Sequence, residues 1–370
     1  MDFIDLNAQQ VRIKKRIDEN IAKVLAHGQY INGPEVKELE EKLSEYVNVP
    51  YAVGCSNGTV ALLISLMAYN IGPGDAVFTT PFTFIATAEV IQLLGATPVF
   101  VDIYEKTYNI DVAKLETAVK KVINDNIYTP RGIISVDLFG QPADYQKINA
   151  LAKDYNLFVL EDAAQSFGAT YHGQKACSLA ETSATSFYPA KPLGCYGEGG
   201  MVFTHSKELY DTLVSIRDHG QGNEKYHNVR IGINGRLDTL QAAILLAKFE
   251  IFDDELNLRK NAAKRYDEAL RDVVDIPFIK QNISSSWSVY SIMHTKRDSM
   301  IKQLKDEGIP TAIYYPIPLH LQKAFSHLGY CNDDFPVSEI VSNNILSIPI
   351  HPYLSKEEQD KVIAAITNFS

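Results

Sequence analysis

Residues 184–204 read ATSFYPAKPLGCYGEGGMVFT, and this stretch says most about how the chain folds. We predict a strand at each end, over Ala184–Tyr188 and Met201–Thr204, because short apolar runs bounded by proline and glycine are typical of buried strands. Lys191 lies in the loop between them, flanked by two prolines. Prolines fix φ, and glycines let backbone approach a ligand closely. The pattern therefore predicts a lysine that is held rigidly beside a binding site.

Short apolar runs also precede this stretch, and they alternate with amphipathic helical patterns such as Ala143–Asp154 from about residue 50 to 250. This alternation predicts an α/β fold with a mostly parallel sheet that is covered by helices. The remaining predicted strands are Ala76–Thr80, Pro98–Asp102, Gly132–Leu138 and Leu157–Asp162.

The pattern changes near Ile251, where residues 253–273 become charged and helical in period. Two weaker α-β units follow and end in a predicted helix over Lys356–Thr367. We therefore predict a large domain over residues 1–250, including the N-terminal segment, and a smaller C-terminal α/β domain over residues 251–370.

Composition excludes several classes of protein. The formal net charge of -10 and the pI of about 5.4 argue against nucleic acid or an anionic membrane surface as a partner. The four cysteines are scattered without a C-x-x-C pair, so neither a metal site nor a disulfide framework is expected. Because no stretch resembles a signal peptide or reaches the roughly 18 apolar residues of a membrane helix, we expect a cytoplasmic protein.

A possible phosphate site precedes the apolar helix that we predict at residues 60–67. Ser56, Asn57, Gly58 and Thr59 stand at its start. A glycine and a hydroxyl there leave backbone N–H groups that can hold a phosphate, and the helix dipole adds to the attraction. The alternative interpretation is a plain helix cap beside a loop glycine.

A second candidate contact is Asp162, at the end of the predicted strand Leu157–Asp162. The carboxyl ends of parallel strands are where open α/β sheets bind ligands. An ionised aspartate there could keep a pyridine nitrogen protonated, and Gln165 could reach a neighbouring ring oxygen. A helix-capping role for Asp162 is the alternative. Away from water, Lys191 would have a lowered pKa and could form a Schiff base, whereas a surface lysine in a turn is the simpler interpretation.

Taken together, these motifs resemble the DegT-like family of sugar-nucleotide aminotransferases, which are fold-type-I pyridoxal-phosphate enzymes related to aspartate aminotransferase. The resemblance covers nearly the whole chain. It rests on FIDL at 3–6, SNGT at 56–59, PFTFIATAE at 81–89, EDAAQSFGA at 161–169, SFYPAKPLGCYGEGG at 186–200, GINGRLDTLQAAIL at 232–245 and YPIPLH at 315–320.

The resemblance implies a role for each matching residue. Lys191 would bind pyridoxal 5'-phosphate and later move the proton during transfer. Asp162 would pair with the ring nitrogen and Gln165 would contact the ring hydroxyl. Asn234 would reach the phosphate in the other subunit, which implies a homodimer with shared active sites. The remaining implied cofactor contacts are Gly58, Thr59 and Ser186 at the phosphate and Phe84 stacked on the ring.

Within the family, the sequence around Lys191 and Asn234 is similar to that of enzymes that aminate UDP-2-acetamido-2-deoxy-3-oxo-glucuronate. Those enzymes use L-glutamate as the donor and serve the synthesis of bacterial surface polysaccharide. Arg236 is the candidate for the sugar carboxylate, because a guanidinium can bind a carboxylate through two hydrogen bonds. It could equally hold the α-carboxylate of glutamate or bridge a subunit interface. Tyr314 stands where relatives often have histidine, and it can still donate a hydrogen bond.

Three alternatives remain open. The substrate could be a UDP- or dTDP-linked 4-keto-6-deoxy sugar that is aminated at C4. The chain could be a dehydratase on the same scaffold, but those relatives have histidine in place of the lysine, and Lys191 argues against this. A non-catalytic regulator that binds the cofactor is the third, and the lack of a basic face disfavours it.

Overall fold

The computed structural model describes residues 1–224 and 226–369. Helices and strands alternate through most of the chain. The helices are α1 Leu6–His27, α2 Pro34–Val47, α3 Gly58–Ala68, α4 Ala86–Leu93, α5 Val112–Asp125, α6 Tyr145–Asp154, α7 Lys207–Arg217, α8 Thr239–Phe249, α9 Phe252–Leu270, α10 Arg297–Asp306, α11 Pro336–Asn344 and α12 Lys356–Thr367. The strands are β1 Tyr51–Cys55, β2 Asp75–Thr79, β3 Thr97–Phe100, β4 Thr129–Val136, β5 Phe158–Asp162, β6 Thr170–Tyr171, β7 Gln174–Lys175, β8 Thr182–Ser186, β9 Gly200–Thr204, β10 Ile283–Ser284, β11 Tyr290–Met293 and β12 Ile345–Ile348.

Seven strands form the central sheet, in the order β1-β9-β8-β5-β4-β2-β3. The pairs from β8 to β3 are parallel, whereas β9 is antiparallel to both β8 and β1. The exception arises because the chain turns straight back from β8 into β9, so that Ser186 pairs with Gly200. The predicted α/β fold with a mostly parallel sheet is confirmed.

Both faces of this sheet are covered, which explains why its strands read as continuous apolar runs. Alternate residues point to opposite faces. One set, Val77, Ile134 and Leu160, packs with Ala61, Ile64 and Leu66 of α3. The other set, Phe78, Ile133 and Val159, packs with Leu115 and Val119 of α5 and Ile148 of α6.

The sheet has an edge strand that the sequence patterns did not predict. Strand β1 pairs along its whole length with β9. Next to it, α1 and α2 pack on α8, through Ile13, Ile17 and Val24 on α1 and Val36, Leu39 and Leu43 on α2. The N-terminal segment therefore lies against the same body as the sheet.

The C-terminal part of the chain builds a second hydrophobic cluster. Strands β11 and β12 pair antiparallel, and α9, α10 and α12 pack around them through residues such as Tyr266, Ile292, Leu304, Ile348 and Val362. Helix α12 has the bounds that the sequence predicts. The division of the chain at residue 250 remains a prediction.

One buried carboxylate ties the sheet to this C-terminal part. Asp102, just after β3, accepts hydrogen bonds from the N–H groups of Val337 and Ser338 at the start of α11, at 3.1 and 3.0 Å, and from the Ser338 hydroxyl at 2.7 Å. Lys114 on α5 lies 2.9 Å away. Asp102 thus acts as the N-terminal cap of a helix more than two hundred residues further along.

Within residues 1–224 and 226–369, no helix combines the length and apolar character that crossing a membrane would require.

Candidate active site

Lys191 is held by a loop that folds back on itself between β8 and β9. Its N–H donates to the carbonyl of Tyr188 at 2.9 Å, and the N–H of Cys195 donates to the carbonyl of Phe187 at 2.8 Å. The side chain is half-buried. Burial lowers the pKa of Lys191, and the nearby charge of Asp162 opposes this shift. The loop therefore places the amine within electrostatic reach of Asp162.

Asp162 lies at the carboxyl end of β5 and is only 5% exposed. The hydroxyl of Thr87 on α4 donates to one carboxylate oxygen at 2.8 Å, and the N–H of Ala164 donates to the other at 3.3 Å. Burial raises the pKa of Asp162, whereas Thr87, Ala164 and the charge of Lys191 lower it. The carboxylate is thus oriented by fixed donors, and its remaining lone pairs can accept from a ligand.

Gln165 is oriented from both ends of its side chain. Its carbonyl oxygen accepts from the N–H of Phe139 at 2.6 Å, and its amide nitrogen donates to the hydroxyl of Tyr315 at 3.2 Å. The Ser286 hydroxyl holds the backbone carbonyl of Gln165 at 2.6 Å. The position of this side chain is therefore determined before any ligand arrives.

The start of α3 forms a narrow cradle. Asn57 accepts a hydrogen bond from the N–H of Val60 at 2.8 Å, which leaves the N–H groups of Gly58 and Thr59 at the helix start for an anion. A Cβ atom on Gly58 would lie 2.7 Å from Cβ of Ser186. Gly58 and Ser186 are therefore in contact, and a side chain at position 58 would fill the space between them.

Aromatic side chains line the rim. Phe84 follows β2 and is 54% exposed, with its ring centroid 6.4 Å from that of Tyr315. Tyr314 lies beside Tyr315, at 5.7 Å, and against Phe3, at 6.4 Å. Tyr188 lies close enough to Tyr314 to influence its pKa, which burial raises. The rim thus combines the Lys191 loop, the segment after β2 and the segment before α11.

Asn234 and Arg236 lie on a segment that runs along the start of α3, where the N–H of Ser56 donates to the carbonyl of Gly235 at 2.9 Å. Asn234 is exposed. The guanidinium of Arg236 forms an ion pair with Asp218. In the described part of the chain, the buried Nε of Arg236 has no hydrogen-bond partner. The structure thus joins Arg236 to Asp218, and not to Lys191 or Asp162.

Three positioning contacts escaped the sequence analysis, namely those of Thr87, Tyr315 and Ser286. Thr87 and Tyr315 lie inside the motifs PFTFIATAE and YPIPLH, but a motif does not reveal which side chains these residues bond to. A buried hydroxyl in the apolar start of α4 needs a hydrogen-bond acceptor. That signal points to Thr87, although it does not identify Asp162 as the partner.

This geometry suits a cofactor with an anionic group at one end, a basic ring nitrogen at the other and a carbonyl that an amine can attack. The cradle at Gly58, the carboxylate of Asp162 and the amine of Lys191 meet these three needs. The site therefore defines a cofactor-dependent enzyme.

Residues 11–367 match the DegT/DnrJ/EryC1/StrS aminotransferase family, and the chain belongs to it. The predicted family is confirmed.

Individual relatives agree over the full length. The UDP-2-acetamido-2-deoxy-3-oxo-D-glucuronate aminotransferase of Pseudomonas aeruginosa is 48% identical over 371 residues, which cover 100% of each chain. A DegT DnrJ EryC1 StrS aminotransferase from Brucella abortus is 51% identical, with a TM-score of 0.97 and coverage of 99% of this chain and 98% of that one. S. venezuelae DesV, solved in complex with a ketimine intermediate, is 33% identical, with a TM-score of 0.95 and coverage of 99% and 97%.

Proposed function

We propose that the protein is a pyridoxal-phosphate aminotransferase that converts UDP-2-acetamido-2-deoxy-3-oxo-D-glucuronate into its 3-amino sugar. The observation that carries this proposal is the full-length similarity to the P. aeruginosa enzyme of that name, at 48% identity. We further propose L-glutamate as the donor, bacterial surface polysaccharide as the destination of the sugar and the cytoplasm as the place of the reaction. The donor gives up its amino group and takes an oxygen from water to become 2-oxoglutarate, while the oxygen of the sugar ketone leaves as water, so that no water is gained or lost overall.

The cofactor would be held at three points. Gly58, Thr59 and Ser186 would hold the phosphate, Asp162 the ring nitrogen and Gln165 the ring hydroxyl, with Phe84 over the ring. When bound, pyridoxal phosphate supplies a conjugated ring that withdraws electrons from the amino-bearing carbon. The cradle that a Cβ on Gly58 would fill and the two fixed donors on Asp162 support this assignment.

Lys191 is the group that we propose to bind the cofactor and to move the proton. Burial lowers the pKa of Lys191, so a larger share of its amine is neutral near pH 7 than for an exposed lysine. A neutral amine can accept the proton from the amino-bearing carbon of the donor and deliver it within the same site. The backbone hydrogen bonds of the loop fix the main chain from which this side chain reaches into the site.

The sugar would be recognised at the rim. Tyr314 offers a hydroxyl beside Tyr315, and Arg236 offers a cation for the C6 carboxylate. Because Arg236 already pairs with Asp218, its contact with a sugar acid would share or exchange that partner. We propose that Asn234, which is exposed, reaches the phosphate of a second subunit in a homodimer with shared active sites.

The test compares four nucleotide-linked keto sugars under the same conditions. We expect turnover of the 3-keto glucuronate, a kcat/KM at least tenfold lower for the 3-keto sugar with a hydroxymethyl group at C6, and no turnover of the UDP- or dTDP-linked 4-keto-6-deoxy sugars. The uncharged analogue lacks the carboxylate that could accept a charge-assisted hydrogen bond from Arg236, so its affinity should be lower. Turnover of a 4-keto sugar with none of the 3-keto sugars would refute the substrate assignment.

The role of Lys191 has its own test. Lys191→Ala should abolish turnover, and reduction with borohydride should no longer attach the cofactor covalently to the protein, because the amine that binds the cofactor is gone. Lys207→Ala is the matched control, since Lys207 is exposed and its amine contacts Asp211 and the rings of Tyr51 and Tyr210, none of which belongs to the proposed site. Wild-type turnover in Lys191→Ala would contradict the proposed role.

A further inference from the structure

Lys248, on α8, is buried although it carries a charge. Its side chain is 1% exposed, and within residues 1–224 and 226–369 its amine has no hydrogen-bond partner. The amine lies over the ring of Tyr196, 4.3 Å from the ring centroid. A cation over the face of a tyrosine ring is attracted by the ring electrons, and the attraction grows when water is excluded. The ring of Tyr196 is therefore the contact that the geometry offers to the charge of Lys248.

Tyr196 belongs to the loop that carries Lys191. Its N–H donates to the side-chain oxygen of Gln241 at 2.9 Å, and its carbonyl accepts from the amide nitrogen of Gln241 at 3.5 Å. The N–H and the thiol of Cys195, the preceding residue, both donate hydrogen bonds to the carbonyl of Phe187 at the start of the loop. Movement of Tyr196 would therefore be transmitted along a short, hydrogen-bonded loop to Lys191.

Both contacts to Tyr196 come from one face of α8. Gln241 and Lys248 are seven residues apart, which is two helical turns, so their side chains lie one above the other. Gln241 holds the backbone of Tyr196 and Lys248 holds its ring. Ile13 and Ile17 of α1 pack in the same cluster as Tyr196. Helix α8 thus contacts the loop at two points, the backbone and the ring of Tyr196, and α1 packs against the same residue.

The buried charge of Lys248 is unfavourable for folding. Burial lowers the pKa of Lys248 to about 8, while the charges of Glu255 and Cys195 raise it. Glu255, on α9, is engaged by Gln9 at 2.7 Å and by Tyr353, and in the described structure it forms no ion pair with Lys248. An apolar side chain of similar volume would avoid this cost of burial. The charge therefore calls for an explanation other than stability.

We propose that Lys248 is a positioning residue for the reaction, and that it acts by holding the ring of Tyr196 and so the loop that carries Lys191. Lys248 touches neither the substrate nor the cofactor in this scheme. The inference rests on the proposed function in one respect, namely that Lys191 is the cofactor lysine. The link from Lys248 to the loop stands on contacts that are present without any ligand.

The test separates stability from positioning with Lys248→Met, which keeps the volume and removes the charge. We expect its melting temperature to rise by a few degrees, because a buried charge is gone. We expect amide hydrogen exchange in residues 193–200 of the holoenzyme to accelerate roughly tenfold, and kcat to fall roughly tenfold with little change in KM. Lys248→Arg keeps a cation over the ring and should restore most of the kcat.

Tyr196→Leu removes the ring without touching Lys248 and should reproduce the faster exchange, whereas Tyr196→Phe keeps the ring face and should not. Lys175→Met is the matched control, because Lys175 lies over the ring of Tyr46 at 4.1 Å, outside the loop. It should leave both kcat and the exchange of residues 193–200 unchanged.

Two outcomes would overturn the proposal. One is unchanged exchange in Lys248→Met and Tyr196→Leu. The other is a lower melting temperature in Lys248→Met together with wild-type kcat, which is the behaviour of a purely structural lysine. Exchange and melting need no substrate, so a negative result there refutes the link even if Lys191→Ala behaves as the proposed function requires.

Discussion

The hydroxyl of Thr87 should keep Asp162 ionised and thereby strengthen the binding of the cofactor. Thr87→Val replaces that hydroxyl by a methyl group of similar size. The lost hydrogen bond is 2.8 Å long and ends on a buried carboxylate, and such bonds contribute about 1.5–3 kcal/mol. Among residues 1–224 and 226–369, the other hydrogen bond to this carboxylate comes from the N–H of Ala164, at a longer 3.3 Å. Because this hydrogen bond lowers the pKa of Asp162 and burial raises it, losing the bond should raise the pKa of Asp162 further.

A higher pKa favours the neutral acid, which cannot balance a positive ring nitrogen. We expect the cofactor affinity and kcat of Thr87→Val to fall roughly tenfold to hundredfold. Because a raised pKa matters most at low pH, the deficit should be largest there and should shrink as the pH rises. Equilibrium binding of pyridoxal phosphate to the apoenzyme and kcat between pH 6 and about 9 would measure both effects.

Two controls define what would refute this reasoning. Thr87→Ser keeps the hydroxyl and should stay within about threefold of wild type. Thr83→Val removes a hydroxyl that lies 3.2 Å from that of Thr87 but does not contact Asp162, and it should also have little effect. Wild-type cofactor affinity in Thr87→Val, or an equal loss in Thr83→Val, would show that the hydrogen bond to Asp162 does not matter.

Three further predictions follow from other contacts. Gly58→Ala should weaken cofactor binding at least tenfold, because its Cβ would lie 2.7 Å from Ser186, whereas Gly72→Ala, with nothing within 4 Å, should not; a fluorescence titration compares them. Asp102→Asn should lower the free energy of unfolding, measured in urea, by about 2–3 kcal/mol, because the negative charge at the start of α11 and the ion pair with Lys114 are lost and one of the two acceptor oxygens becomes an NH2 donor. Lys248 has a pKa of about 8 when folded and an ordinary value of 10.5. Between these pH values the amine is protonated in the unfolded chain and neutral in the folded one. The free energy of unfolding of the wild type should therefore rise by about 3 kcal/mol relative to that of Lys248→Met as the pH increases from 8 to 10.5. Parallel pH curves for the two proteins would contradict that assignment.

The parts of the fold that the sequence predicts are those set by local pattern. Buried parallel strands read as continuous apolar runs, so β2 to β5 were found to within about three residues. Helix α12 begins at a capping box formed by Ser355 and Glu358, which is a local signal. The sequence patterns do not predict strand β1, which contains a glycine and pairs with β9, about 150 residues away.

The candidate site likewise contains residues that local sequence predicts and contacts that it does not. Local patterns predict Asp162 at the end of a strand and Lys191 in the proline- and glycine-rich loop after another strand, so both were identifiable. The contact between Thr87 and Asp162 joins positions 75 residues apart and appears only once α4 is placed above β5. Arg236 shows the opposite case, since its residue type suggested a carboxylate ligand while the fold provides Asp218 as its partner. Pairing of side chains depends on tertiary placement, which motifs do not contain.

The return of the chain from β8 into β9 has a consequence for how tightly a cofactor can be bound. Because Ser186 and Gly200 are paired in the sheet, both ends of the Lys191 loop are anchored as soon as the sheet has formed. The conformational entropy of closing that loop is thus lost during folding and not during association. A preorganised amine leaves less ordering to the binding step, which favours tight association. In this architecture the sheet, rather than the ligand, assembles the reactive end of the site.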